Sequence, residues 1–534
     1  MGRRRLAGAT VAACSVLLGT ACSTAVQGEA VSVFHDPFNV AGMPATDGPS
    51  GLRPGAPGPD RDIEGSDGGR IDELAGGAIS DIEEYWQTAY PATFDDEFSP
   101  ASALISWDAN GFDGVFCEED TYGLVNAGFC YLDRSIGWDR GELLPTLERA
   151  HGDMGVVMVL AHEYGHAVAR QSGMADEDTP TLLSEQQADC LSGAYMRWVA
   201  EDSSPRFTLN TGEGLNNVLA GVISFRDPVL TEGDPDVGYD EHGSAFERVS
   251  AFQFGFTDGP NACAAIDMRE IGQRRGDLPV LLPEDQTGEL PVTEDSVFSI
   301  VEAMDILFAP ADPPALSFDA AEADSCADAR PSPPASYCPA TNTLVVDLPA
   351  LQDIGAQADS MDAATLAIGD NTAYSVLVSR YMVALQHERG GVALDNASAA
   401  LRTACLTGVA TVKMSKEVTT PNGDTIALTA GDVDEAVSGI LTNGLAAGDV
   451  NGESVPSGFS RIDAFRLGVL SDAERCVPRF RCPAAAERNP PPTPPTARRR
   501  RRRPCRAARC PLAGRWSWSR RRRSHARSGR HPTG

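Results

Sequence analysis

Val156-Val157-Met158-Val159-Leu160-Ala161-His162-Glu163-Tyr164-Gly165-His166 joins an apolar run to two histidines four positions apart. With Gly173 as the stop signal, the stretch is expected to be one helix, and residues four apart on a helix share a face. Two imidazoles so spaced can reach one zinc ion through bonds of about 2.0–2.1 Å, while Glu163 projects towards the same side. A catalytic zinc also needs a third protein ligand and an open position for water. That ligand is expected from a second helix, started by Thr179 as N-cap with Pro180 at the first helical position. Leu182, Leu183, Ala188, Leu191 and Ala194 give this helix an apolar stripe, and Glu185 and Asp189 share another face. Glu185 is the expected third ligand. Asp189 is expected to accept the outward N–H of a ligating histidine and so fix its tautomer. His35, His151 and His387 lack a partner at such spacing and are expected to face solvent.

Working outward, the chain repeats itself. Phe129-Cys130, Ile136 and Asp139 answer to Tyr337-Cys338, Leu344 and Asp347. Gly152-Asp153 to Gly173 matches Gly369-Asp370 to Gly390, with Val159-Leu160 and Tyr164 recurring as Val376-Leu377 and Tyr381. Cys190-Leu191-Ser192-Gly193 corresponds to Cys405-Leu406-Thr407-Gly408. Arg248, Ala251-Phe252, Gly255 and Cys263 correspond to Arg461, Ala464-Phe465, Gly468 and Cys476. Landmarks in one order at offsets of 208 to 217 residues indicate a tandem duplication. The metal-binding positions are not repeated. Ser379, Arg380 and Val383 stand where His162, Glu163 and His166 stand, and Ala400 and Ala404 replace Glu185 and Asp189. No histidine answers to His242. Positions that hold a fold survive while those needed for metal chemistry do not.

The repeat also orders the cysteines. Cys117 to Cys130 spans 13 positions and Cys326 to Cys338 spans 12; Cys190 to Cys263 spans 73 and Cys405 to Cys476 spans 71. Two disulfides per half, paired in that way, are expected. Spacing alone does not fix connectivity, so the pairing rests on the repeat.

The 534 residues can hold more than one core, while 52 Gly and 37 Pro announce long irregular connections. Of 44 Lys and Arg residues, 16 lie after residue 483; of 75 Asp and Glu residues, only Glu487 does. That leaves 28 basic against 74 acidic side chains, a body that repels phosphates and argues against a nucleic-acid partner. Arg3, Arg4 and Arg5 before the apolar run Leu6–Leu18 form an export signal. Leu17 to Cys22 looks like a lipoprotein cleavage box with Cys22 acylated, although Gly19 stands where Leu is usual. The alternative is ordinary secretion with cleavage near Ala21. Both place the body outside the cytoplasm, where thirteen cysteines should pair. The expected plan is a signal peptide over 1–21, a flexible spacer over 22–75, and a first domain over 76–275. A linker over 276–292, a second domain over 293–482, and a disordered Arg/Pro-rich tail over 483–534 follow.

His162-Glu163-Tyr164-Gly165-His166, Glu185-Gln186-Gln187-Ala188-Asp189-Cys190, and His242-Gly243-Ser244 with Arg248 and Phe252-Gln253-Phe254-Gly255-Phe256 resemble the bacterial neutral zinc metallopeptidase family. The likeness covers roughly Asp81 to Cys263. It implies a mainly helical α+β, zincin-like unit of the gluzincin type, duplicated here with a metal-free second copy. It further implies one zinc ion per chain on His162, His166 and Glu185, and hydrolysis of a peptide or protein substrate with Glu163 as general base. His242 is read either as a donor of a hydrogen bond to the developing oxyanion or as a satisfied structural histidine. Two rivals stand beside an envelope peptidase: a binding or scaffold lipoprotein with a blocked cleft, and a zinc hydrolase of cell-wall peptide amides.

Overall fold

With two-residue strands and the shorter flanking helices set aside, the described part of the first half runs through one long helix, three short strands and five further helices, and the second half shows the same order. These main elements are α1 (Arg70–Phe94), β1 (Leu104–Trp107), β2 (Ala127–Phe129), β3 (Ile136–Asp139), α2 (Leu143–His151), α3 (Asp153–Ser172), α4 (Thr181–Ala200), α5 (Glu213–Ser224) and α6 (Ala245–Asp258). Then come α7 (Glu294–Phe308), β4 (Ala315–Ser317), β5 (Ala335–Cys338), β6 (Thr343–Val346), α8 (Leu348–Ile354), α9 (Asp370–Arg389), α10 (Ala397–Lys413), α11 (Ala430–Thr442) and α12 (Gly458–Val469). This computed structural model describes residues 36–111, 114–234, 242–284, 288–357 and 366–480. The export signal, Cys22 and the tail over 483–534 lie outside the described residues. The class is α+β, with small sheets and about half of the residues helical. None of the described helices is long and apolar enough to cross a membrane.

Connectivity matches between the halves. In one sheet β3 lies between β1, which runs parallel to it, and β2, which runs antiparallel. In the other, β6 lies between parallel β4 and antiparallel β5. The helix crossings match as well. A Cβ on Gly193 would fall 2.1 Å from the Phe252 carbonyl oxygen, and one on Gly255 would fall 1.7 Å from that of Cys190. In the second half Gly408 meets Phe465 at 2.2 Å and Gly468 meets Cys405 at 1.8 Å. No side chain fits at these four points, so α4 on α6 and α10 on α12 pack backbone against backbone. The four disulfides join Cys117 to Cys130, Cys190 to Cys263, Cys326 to Cys338 and Cys405 to Cys476. Such bonds persist in an oxidising compartment.

Two expectations about organisation are corrected. The segment over 36–69, expected to belong to a flexible spacer, lies against the body. Val40 is buried in the core, and Gly51–Leu52 pairs antiparallel with Phe207–Thr208. The Arg53 side chain donates to the carbonyls of Ser204 and Phe207 at 3.0 and 2.8 Å. Composition misses such a segment because main-chain and polar contacts hold it rather than a run of apolar residues. Nor does the expected linker over 276–292 divide two cores. Leu281–Leu282 pairs with Leu230–Thr231, and one buried apolar cluster extends from Val40 to Phe480.

Candidate metal centre

Helix α3 starts after Gly152, with Asp153 in its first turn, where an anion suits the positive end of the helix. It ends at Gly173, whose φ of 74° is left-handed, and whose N–H caps the carbonyls of Ala169 and Arg170. The interval buries His162 and His166 on one face. Helix α4 begins one residue later than expected. Pro180 is its N-cap, and the Thr179 hydroxyl bonds to Asp176 instead of to the helix. At Gly165 the helices nearly touch, since a Cβ there would lie 2.8 Å from the Ala188 carbonyl oxygen. That approach brings Glu185 under the two imidazoles.

The expected ligand set converges. The Nε2 atoms of His162 and His166 lie 3.0 and 3.2 Å from the two carboxylate oxygens of Glu185. The three ligand atoms all lie within 4.8 Å of one another. Tetrahedral bonds of ~2.1 Å would place donors about 3.4 Å apart, so the donor types and spacing fit a zinc ion. Asp189 takes the place expected of it, its Oδ1 lying 2.8 Å from His162 Nδ1. The outer nitrogen of His166 faces the Ser184 hydroxyl at 3.2 Å, and the Tyr131 hydroxyl lies 3.3 Å from Ser184. Each imidazole therefore turns Nε2 inward with its outer nitrogen engaged.

Electrostatics reinforce the geometry. Burial opposes charge on His162, but the carboxylates of Asp189 and Glu185 outweigh it and lift the imidazole to about 10. Burial likewise opposes charge on Glu185, yet the two histidines hold it well below the usual carboxylate range. For Asp189, burial is outweighed by Arg248 and His162, and its carboxyl is lowered. Glu163 shifts the other way. Burial raises it, and the neighbouring histidines offset only part of the rise. Its Oε2 accepts the Phe129 N–H at 3.2 Å, which ties it to strand β2 at the edge of the sheet. A carboxyl with raised proton affinity beside the ligand trio is suited to receive a proton.

These groups face one cleft of about 490 Å³, lined by Phe129, Tyr131, Met158, Phe225 and His242 together with His162, Glu163, His166, Glu185 and Arg248. His242 is on its wall, about half exposed, with Nδ1 3.4 Å from Asp227 Oδ1. That bond raises its pKa above the ordinary value against the effect of burial. His151 corrects an expectation: it is buried, packed by Gly155 and Gly221, and burial lowers its pKa. The sequence reading missed Ser184, Tyr131 and the use made of Arg248. Arg248 donates from Nε and a terminal nitrogen to both oxygens of Asp189 at 3.0 and 2.9 Å. Its recurrence as Arg461 marked it as a fold position and hid its contact with the site.

No protein-family model, curated protein or solved structure matches the chain.

Proposed function

We propose that the chain is an exported zinc metallopeptidase in which only the first half carries the chemistry, the second being a degenerate copy of the same zincin-like unit. One observation carries the reading: two helices bring His162, His166 and Glu185 around a common point, with Glu163 outside that trio on the same open cleft. His162, His166 and Glu185 would hold zinc, which supplies an acidified water and polarisation of the scissile carbonyl. Glu163 accepts the proton of the attacking water and delivers it to the leaving amine, a shuttle favoured by its raised proton affinity. Asp189 keeps the His162 ring turned with Nε2 inward. His242, on the cleft wall beside Asp227, donates a hydrogen bond to the oxygen that gains charge. The matching strand order, helix order and disulfides of the two halves support the duplication. Attachment through an acylated Cys22 accounts for the lipoprotein-like signal.

Purified chain and its Glu163→Gln variant, assayed for zinc by mass spectrometry and for cleavage of a quenched peptide library, test this. The expected result is one zinc per chain in both, with cleavage reduced at least ~100-fold in the variant. Bound zinc without cleavage by the unaltered chain would turn the reading to a binding protein.

A further inference from the structure

The two halves cap one another's helices, and they do so unequally. Helix α11 of the second half places Asp434 at the start of α6, where the N–H groups of Ala245 and Phe246 donate to its two oxygens, both at 2.9 Å. In the reverse direction, α5 places Asn216 at the start of α12, where its Oδ1 accepts the Gly458 N–H at 2.8 Å. Asn216 lies five residues before Gly221 and Asp434 five before Gly439, so they occupy matching places on their helices. One direction thus uses a neutral amide with a single bond, the other a buried carboxylate with two. Two main-chain bonds against one make the Asp434 cap the tighter of the two.

The helices so capped differ in what they carry. Two residues beyond Phe246, Arg248 grips both oxygens of Asp189 and donates to the Phe225 carbonyl at 2.8 Å. Asp189 in turn holds His162 Nδ1 at 2.8 Å. On α12 the corresponding Arg461 contacts only main-chain carbonyls, among them Ile440, Leu441 and Val455 at 2.7 to 2.8 Å. The two-bonded cap therefore falls on the helix whose arginine leads to a candidate metal ligand.

We propose that the second half is a built-in support for the metal centre: Asp434 fixes the start of α6, α6 fixes Arg248, and Arg248 fixes Asp189 and the ring of His162. This rests on the zinc-site reading above and assigns the metal-free half a task in it. Asp434 and Arg248 are positioning residues, since neither touches the reacting atoms.

The test uses the full chain with zinc or cobalt(II) as probe, measuring the metal dissociation constant by calorimetry and the cobalt absorption spectrum. Arg248→Gln should weaken metal binding by about 10- to 100-fold, and Asp434→Asn by roughly 3- to 10-fold, with an altered cobalt spectrum. The double variant should bind no worse than Arg248→Gln alone, because both act along one route. Asn216→Ala, at the matching cap, should lower the unfolding midpoint yet leave the constant within twofold of wild type. A folded Asp434→Asn chain with unchanged metal affinity, additive losses in the double variant, or an equal loss in Asn216→Ala would overturn the proposal. Should Asp434→Asn fail to fold, an Arg248→Gln chain with unaltered affinity overturns it alone. Absence of metal binding in the wild-type chain would instead sink the zinc-site reading itself.

Discussion

At the place where the first half gathers its candidate metal ligands, the second half buries a cation. Arg380, on α9 where Glu163 stands on α3, donates to the carbonyls of Asp449 at 2.6 Å, Gly448 at 3.0 Å and Leu445 at 3.2 Å, and to the Ser379 hydroxyl at 3.1 Å. Burial lowers it to about 10, well under the ordinary guanidinium value. Two packings with the same strand order and the same glycine crossings thus hold opposite charge at corresponding points. The scaffold tolerates either, provided every buried polar atom has a partner. In one half the partners are side chains that could share a metal, and in the other they are carbonyls that could not.

The comparison can be broken most directly at its charged centres. Glu185→Ala should weaken zinc binding more than about 100-fold, beyond what loss of an outer partner costs. Arg380→Met should leave zinc stoichiometry untouched while costing about 3 kcal/mol by urea unfolding, since it orphans several buried carbonyls. Zinc loss in the Arg380 variant, or retention in the Glu185 variant, would show that the halves have been assigned the wrong way round.

The long disulfides sharpen the comparison further. Their loops of 73 and 71 residues are nearly equal. Replacing Cys190 and Cys263 by Ala, or Cys405 and Cys476 by Ala, should each cost about 4 kcal/mol. Unequal midpoints in chemical denaturation would mean that the two halves do not share one packing logic.

The last contrast is in the response to pH. Asp370, Asp432 and Glu435 crowd together in the second half. Burial first, and neighbouring carboxylates after it, push them up to about 7, 6 and 9. A carboxyl raised in the fold stabilises it in the protonated state. Its contribution is complete below the ordinary value near 4 and is lost as pH rises through the raised one. The chain should therefore lose a few kcal/mol of stability between pH 6 and pH 9. Glu435→Gln should flatten the profile, and an unchanged slope in that variant would dismiss the cluster as its source. The lowered carboxyls of Glu185 and Asp189 act oppositely, withdrawing stability as pH falls through their depressed values.

What could be read in the chain beforehand was whatever depends on local spacing. His162, His166, Glu185 and Asp189 sit at helical intervals, so their faces followed from the period of the helix. The disulfides followed from one pattern appearing twice. Arg248 and Asp434 were illegible for a physical reason: Arg248 lies 59 residues from its carboxylate partner, and Asp434 lies 188 and 189 residues from the amides it caps. Nothing local marks such pairs. His151 misled because an imidazole near a helix end looks solvated until neighbouring elements are seen to cover it. The N-terminal segment misled because its glycines and prolines serve tight turns against the body rather than freedom.

That last segment sets where the protein can be shortened. A chain begun at residue 76, as composition invites, would strip the edge partner of Phe207–Thr208 and remove the arginine that satisfies the Ser204 and Phe207 carbonyls. It would also take away the Asn39 carbonyl that receives the Ser460 hydroxyl from α12, so both halves would feel the cut. A recombinant version begun near Asp36 keeps that lacing intact, and the earliest residues of the body behave less like a leash than like a strap.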